Sequence, residues 1–374
     1  MQMKSQRDIF SVQEKRMFAL RALYEDAGYA RFPMRRFEEY ALYLENKSFL
    51  KSESVLAFAN ANGKLMALKP DVTLSIVKHA GSSAGGVEKL YYNESVYRVS
   101  QTDQEFSEIE QMGVELLGQV DLPGMCEVLR LAVESLQTIS ESYVLEVSHM
   151  GFAAGLMEAA RLKDEEKVEL FGLIQQKNGH ELRGALARMP IAPSFAECIA
   201  ELTGLSGSYE KTLAKAEAMV ANEEMAQAVE ELKQIFSTLE ELELCAHVRL
   251  DFSILNNLDY YNGVVFQGYV RGASRMVLSG GRYDYLMRKF GKEGGGIGFA
   301  LYLDELSQLI EEPREDDLDV LLLYGRNCSA AELIRAAAEL RKKGAKVMLA
   351  PEGTTPARAA KTLRYVQGQL LEVE

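Results

Sequence analysis

Apolar positions with a helical period open the readable part of the chain. Met17, Leu20, Leu23, Tyr24 and Ala27 follow Ser11-Val-Gln-Glu14. The spacing predicts a helix begun by a capping box and stopped at Gly28. The pattern then changes. Apolar runs over 55–60 and 64–68 flank Asn62-Gly63 and predict a β-hairpin. A helix is expected after Pro70, over 71–80. Residues 89–99 and 106–117 read as an antiparallel pair joined by the polar residues 100–105. Residues 126–139 read as a helix and 143–149 as a strand.

From about 151 to about 243 the pattern is almost wholly helical and rich in Ala, Glu, Leu and Lys, as expected of an inserted helical subdomain. Strands are expected again at 248–255, 259–270 and 276–279, and helices at 284–290 and 300–310. A charged linker, 311–317, precedes a strand at 320–324, a helix at 329–343 and a strand at 346–350. That order predicts an α+β fold: an antiparallel sheet with flanking helices and a helical insertion, then a small α/β C-terminal domain. The expected domains are 1–312, with the insertion at about 151–243, and 317–374.

Composition narrows the function classes. The chain has 374 residues, 47% of them hydrophobic, enough for two or three domains and a large core. The N-terminal stretch lacks the apolar centre of a signal peptide, and no apolar run is long enough to span a bilayer. An intracellular, cytoplasmic protein is expected. Cys126, Cys198, Cys245 and Cys328 show no CxxC spacing, and His79, His149, His180 and His247 form no HExxH or HxH cluster. No metal and no cofactor are expected. The net charge of −13 argues only weakly against gripping a polyanion, since an acidic protein can still do so through a local basic patch.

Strand alternation puts Gln111, Gly113 and Glu115 on one face, and Met112, Val114 and Leu116 on the face that packs against helices. Gly113 would leave room for a small polar ligand, and Arg98 on the preceding strand can point into the same space. From spacing alone, a solvated sheet face with a surface ion pair is the somewhat better reading. Tyr260-Tyr-Asn-Gly263 reads as strand and turn, or as packing. Ser279-Gly-Gly-Arg-Tyr-Asp284 allows close backbone approach but matches no P-loop or dinucleotide fingerprint. Gly294-Gly-Gly-Ile-Gly-Phe299 reads as tight packing before a helix.

Taken together, these segments resemble one family. Lys69-Pro-Asp-Val-Thr73, Arg98, Gln111-Met-Gly-Val-Glu115, Leu258-Asp-Tyr-Tyr-Asn-Gly263, Gly280-Gly-Arg-Tyr-Asp284 and Gly298-Phe-Ala-Leu301 occur in the order found in the catalytic domain of histidyl-tRNA synthetase. Tyr29 and Phe37-Glu38 resemble its first motif. The resemblance covers roughly residues 8–312, apart from the helical insertion. It implies a class II synthetase fold and a histidine pocket. In that pocket Asp71, Thr73 and Gln111 would hold the α-amino group, Glu115 and Tyr261 the imidazole, and Arg98 the carboxylate, with Tyr283 closing it.

The departures matter as much. The family's Arg two residues before Leu258 is Asn256 here. Its phosphate-gripping Arg in the last catalytic-domain helix is Glu305, the Gly before that helix is Tyr302, and the loop 99–105 has no basic residue. Activation needs cations on the triphosphate, so the chain is expected to have no catalysis of its own. A synthetase-like chain that keeps the histidine pocket and loses the ATP site resembles the regulatory-subunit family of ATP phosphoribosyltransferase. That resemblance implies a homodimer, a hetero-octamer with the short-form catalytic subunit, and feedback inhibition by histidine. A C-terminal segment shorter than an anticodon-binding domain implies no tRNA partner. A divergent active synthetase, or another synthetase-like histidine regulator, are the alternatives.

Overall fold

The computed structural model describes residues 10–46, 55–80, 86–99, 105–255, 260–307, 318–326, 328–354, 359–366 and 368–373. The chain divides into two compact units, one within Phe18–Leu309, the other combining Met1–Met17 with Ile310–Glu374.

The first helix, α1 (Val12–Asp26), starts at the capping box. Ser11 N–H donates to Glu14 Oε2 at 2.8 Å, and Glu14 N–H donates to Ser11 Oγ at 3.2 Å. Gly28 follows the helix with φ +83°, a conformation that favours glycine. The chain continues through β1 (Ala30–Arg31), β2 (Phe37–Glu39), α2 (Tyr40–Glu45), β3 (Ala57–Ala59), β4 (Leu65–Leu68) and α3 (Val72–His79). Strands β3 and β4 form the predicted hairpin, and β2 pairs antiparallel with β4 on its other side. Long strands β5 (Val87–Val99) and β6 (Phe106–Gly118) pair in register from Val87↔Gly118 to Val99↔Phe106. Next come α4 (Leu122–Ile139) and β7 (Tyr143–His149).

The helical insertion consists of α5 (Met150–Ala159), α6 (Asp164–Gln175), α7 (Gly179–Leu186) and α8 (Pro193–Glu201), then α9 (Tyr209–Ala218) and α10 (Glu223–Glu241). A two-residue strand, β8 (Ser206–Gly207), interrupts it and pairs with β9 (Val248–Asp251). The chain then returns to the sheet as β10 (Val264–Val270), β11 (Leu278–Arg282), α11 (Asp284–Lys289), β12 (Gly295–Tyr302) and α12 (Leu303–Ser307). The nine-stranded sheet has the order β1-β5-β6-β12-β11-β10-β7-β9-β8, antiparallel except at β1–β5 and β7–β9. This is the α+β architecture the sequence predicts.

Three local expectations need correction. The expected strand at 276–279 lies at Leu278–Arg282, so both glycines of Gly280-Gly281 are inside it. The expected strand at 259–270 begins only at Val264 among the described residues. The glycine run after Gly294 is itself a central strand, and the helix expected from 300 begins at Leu303. Close neighbours explain the third difference. A Cβ at Gly295 would lie 2.2 Å from Asp284 Oδ1, and one at Gly296 would lie 2.2 Å from the Tyr283 ring. Glycine is there because side chains from the adjoining turn press on the strand.

The second unit contains β13 (Leu318–Tyr324), α13 (Ala330–Lys342), β14 (Val347–Pro351), β15 (Ala359–Val366) and β16 (Gln369–Glu372) in a sheet of order β14-β13-β15-β16. Its first three elements form the predicted parallel βαβ unit. The last two strands, largely exposed and with β16 at the sheet's edge, escaped notice in the sequence.

Candidate functional site

All seven residues singled out in the sequence line one cavity: Asp71, Thr73, Arg98, Gln111, Glu115, Tyr261 and Tyr283. It holds about 620 Å³ of unfilled space, including its open mouth. Its floor is the sheet. Strand alternation presents Gln111 and Glu115 from β6, and both are buried. Met112, Val114 and Leu116 are buried as well. Leu116 lies against α4, where a Cβ at Gly124 would stand 3.3 Å from its methyl carbon. The reading of a solvated face is therefore excluded. The space above Gly113 is not left for a ligand, however. It is filled by Tyr92, whose hydroxyl donates to Phe299 O at 3.3 Å, and a Cβ at Gly113 would lie 2.7 Å from that hydroxyl.

One wall is the start of α3. Asp71 is its N-cap, with extended backbone and Oδ1 accepting from Leu74 N–H at 2.9 Å. Thr73, in the first turn, donates its hydroxyl hydrogen to Glu115 Oε1 at 2.7 Å. The segment before the helix is pinned from below. Lys69 is wholly buried and pairs with Glu94 of β5 at 2.9 Å. Pro70 O accepts from Arg98 Nε at 3.0 Å, which uses one of the guanidinium's five N–H groups.

The opposite wall is aromatic. Tyr260 lies 4.6 Å from Tyr261 and 6.1 Å from Tyr283, centroid to centroid. A Cβ at Gly281 would come within 2.7 Å of the Tyr261 ring. Gly281 thus makes room for the Tyr261 ring, and Gly280 for Phe266 and Phe299. Tyr283 donates its hydroxyl to Glu115 Oε2. Burial raises the phenol pKa of Tyr92, Tyr260, Tyr261 and Tyr283 well above the ordinary value, so these groups stay neutral donors. Glu115 is pushed up to about 8, first by burial. Its two hydroxyl donors oppose that shift, and Asp71 adds to it. The cavity thus combines two acids, one guanidinium, an amide and hydroxyls over an aromatic wall. That donor set fits a small zwitterion with a polar ring. Among the described residues no group of His, Cys, Asp or Glu could hold a metal ion.

A family model described as histidyl-tRNA synthetase matches residues 10–306. The chain belongs to the histidyl-tRNA synthetase family. Within the curated relatives of this family, the ATP phosphoribosyltransferase regulatory subunit of Oceanobacillus iheyensis is 29% identical over 330 residues, 87% of this chain and 81% of that protein. Among solved structures, an ATP phosphoribosyltransferase regulatory subunit/histidyl-tRNA synthetase from Bacillus halodurans shares the fold with a TM-score of 0.75 at 22% identity, over 92% of this chain and 89% of that one. A chain of the ATP phosphoribosyl transferase (HisG:HisZ) complex from Thermotoga maritima shares it with a TM-score of 0.62 at 20% identity, over 79% of this chain and 98% of that one.

Of the departures from the synthetase pattern, Asn256 and residues 100–104 lie outside the described residues. Tyr302 lines the cavity and stands opposite Gln111 in the β6–β12 ladder. Glu305 lies in α12, with Oε2 buried and no hydrogen-bond partner. Asp304 beside it accepts from Glu110 N–H at 2.7 Å. The first turn of α12 is acidic.

The sequence reading missed Tyr92 and Tyr260 as lining residues. Tyr92 had a usable signal, because it shares the alternate positions of β5 with Arg98 and Glu94. The reading also missed a polar seam where the insertion meets the sheet. His149 Nδ1 accepts Gly151 N–H at 3.1 Å, which leaves Nε2–H to face Glu231 Oε1 at 3.0 Å. Glu231 Oε2 lies 3.7 Å from Arg282 Nη1, and Arg282 Nε donates to Asp284 at 2.9 Å. Those residues are far apart in sequence and match no spacing rule.

Proposed function

We propose that this chain is the non-catalytic regulatory subunit of ATP phosphoribosyltransferase, required by the short-form catalytic subunit and carrying feedback inhibition by histidine. The observation that carries the proposal is that all seven residues of the expected histidine pocket line one cavity, while the position at which the synthetase pattern has its phosphate-gripping Arg, in α12, is Glu305. Removing one partner of a buried charge pair costs about 3–5 kcal/mol, and a carboxylate there adds repulsion of the triphosphate. The name and coverage of the Oceanobacillus iheyensis relative support the same reading.

In this reading Asp71 and Gln111 receive the α-amino group of histidine. Thr73 joins them as an acceptor, because its own hydrogen is given to Glu115. Glu115 and Tyr261 take the imidazole, Arg98 takes the carboxylate, and Tyr283 closes the wall while orienting Glu115. Histidine would bind one state of the complex better and shift its population. The assembly is a hetero-octamer built on homodimers, in the cytoplasm and without tRNA. Exposed apolar surface supports self-association, since Phe37 and Phe58 pair 5.5 Å apart while 50% and 40% exposed. No described helix is long and apolar enough to cross a membrane.

The test is a paired assay on one sample: histidine binding by calorimetry, and histidine-dependent ATP–pyrophosphate exchange. Binding without exchange, and histidine-sensitive phosphoribosyltransferase activity when the short catalytic subunit is added, are expected. Exchange would make the chain an active synthetase. Glu115→Ala should abolish binding with the fold intact, and an unchanged histidine affinity would refute the assignment of the pocket.

A further inference from the structure

The Glu115 carboxyl is enclosed in an unusual way. It is 2% exposed, and the hydrogens it receives come from the neutral hydroxyls of Thr73 and Tyr283. Among the described residues no Lys, Arg or His forms an ion pair with it. The groups that face it from neighbouring elements are few. Asp71 at the start of α3 is an acid. Tyr29 ahead of β1, Tyr92 on β5, and Tyr260 and Tyr261 opposite are phenols kept neutral by burial. Arg98 of β5 lines the same cavity, but its Nε–H goes to Pro70 O. From β12 the facing residue is Gly298, which has no side chain.

A carboxylate buried without a cation is costly, so such a group holds its proton. An imidazole brought against it offers a nitrogen of comparable basicity. We infer that the pocket binds its ligand around a single proton shared between the Glu115 carboxyl and the ligand's ring nitrogen, supplied by the protein when the ring arrives neutral. This rests on the histidine reading of the cavity and adds its proton linkage.

The consequence is a change of sign. A free ring loses its proton near about 6.5, and Glu115 loses its own near about 8. Below the first value both partners carry a proton, and one must leave. Between the two values one proton is present, and none is exchanged. Above the second both have lost it, and one must be taken up. Affinity is then greatest near neutrality and falls on either side.

The experiment is titration calorimetry of the full chain with L-histidine, at each pH in two buffers of different ionisation enthalpy. Proton uptake by the α-amino group is subtracted using the titration curve of free histidine. The expected counts are release of about three-quarters of a proton at pH 6.0, about none at pH 7.2 and uptake of about three-quarters at pH 8.5. Uptake of most of a proton at pH 7.2 would mean a Glu115 already ionised and would overturn the inference. So would zero exchange at pH 8.5, which marks a neutral ring bound beside a carboxylate. No binding heat at any pH overturns the histidine reading itself, and this inference falls with it.

Discussion

Gly298 stands directly across the β6–β12 ladder from Glu115, and a Cβ on it would lie 1.9 Å from Glu115 Oε2 and 2.3 Å from Val114 O. The second contact is to backbone, so the strand has no easy way to yield. Gly298→Ala should therefore cost about 1–3 kcal/mol of stability. By displacing the carboxyl it should also weaken histidine binding roughly tenfold or more. Urea unfolding and calorimetry on the same variant measure both, and a variant of normal stability and affinity would show that Glu115 has more room than this geometry gives it.

The Lys69–Glu94 pair is predicted to matter more broken than absent. Lys69→Met leaves Glu94 largely buried and unpaired, which should cost about 3–5 kcal/mol. Adding Glu94→Leu should recover most of that loss. Equal destabilisation in the single and double variants, read from urea midpoints, would count against this account.

Asp71 separates two roles by substitution. Asn caps a helix about as well as Asp, so Asp71→Asn should leave the thermal midpoint nearly unchanged while removing the charge offered to the ligand's ammonium. Asp71→Ala should lose about 1 kcal/mol of stability in addition. If both variants bind histidine with wild-type affinity, Asp71 serves only the helix.

Glu115 also sets a pH dependence of stability. Its pKa in the folded chain is raised from 4.5 to about 8, so the folded state keeps a proton that the unfolded chain releases. The associated stability is complete below about 4.5 and is lost as pH rises through about 8. The loss is on the order of a few kcal/mol, since one pKa unit corresponds to about 1.4 kcal/mol. Glu115→Gln cannot titrate, and its stability relative to wild type should improve steadily between pH 5 and pH 8. Parallel stability profiles for the two proteins would contradict the shift.

The fold and the cavity were legible in the sequence to different degrees. Period-2 alternation over 106–117 placed Gln111 and Glu115 on one face, and the capping box at Ser11 marked where α1 begins. These are local signals, written in neighbouring residues. The glycine strand β12 was not legible, because its glycines answer to Tyr283, Asp284 and Glu115, which reach it only in the folded sheet. The same holds for Tyr92 filling the space over Gly113, and for Arg282 reaching Glu231 on α10. Strands β15 and β16 of the second unit were hidden for the opposite reason: with half of β15 and all of β16 exposed, they carry little hydrophobic pattern to read.

Asp71, Arg98 and Glu115 are each tied to the protein itself, to Leu74 N–H, to Pro70 O and to the hydroxyls of Thr73 and Tyr283. Each side chain that must be stilled on binding costs about 0.5–1.5 kcal/mol of entropy. Here that ordering accompanied folding. A zwitterion of the proposed kind would meet polar groups already aimed, so its affinity would be reduced mainly by the stripping of water from its own polar ends. Discrimination among amino acids should then appear in enthalpy, as hydrogen bonds made or missed at fixed positions.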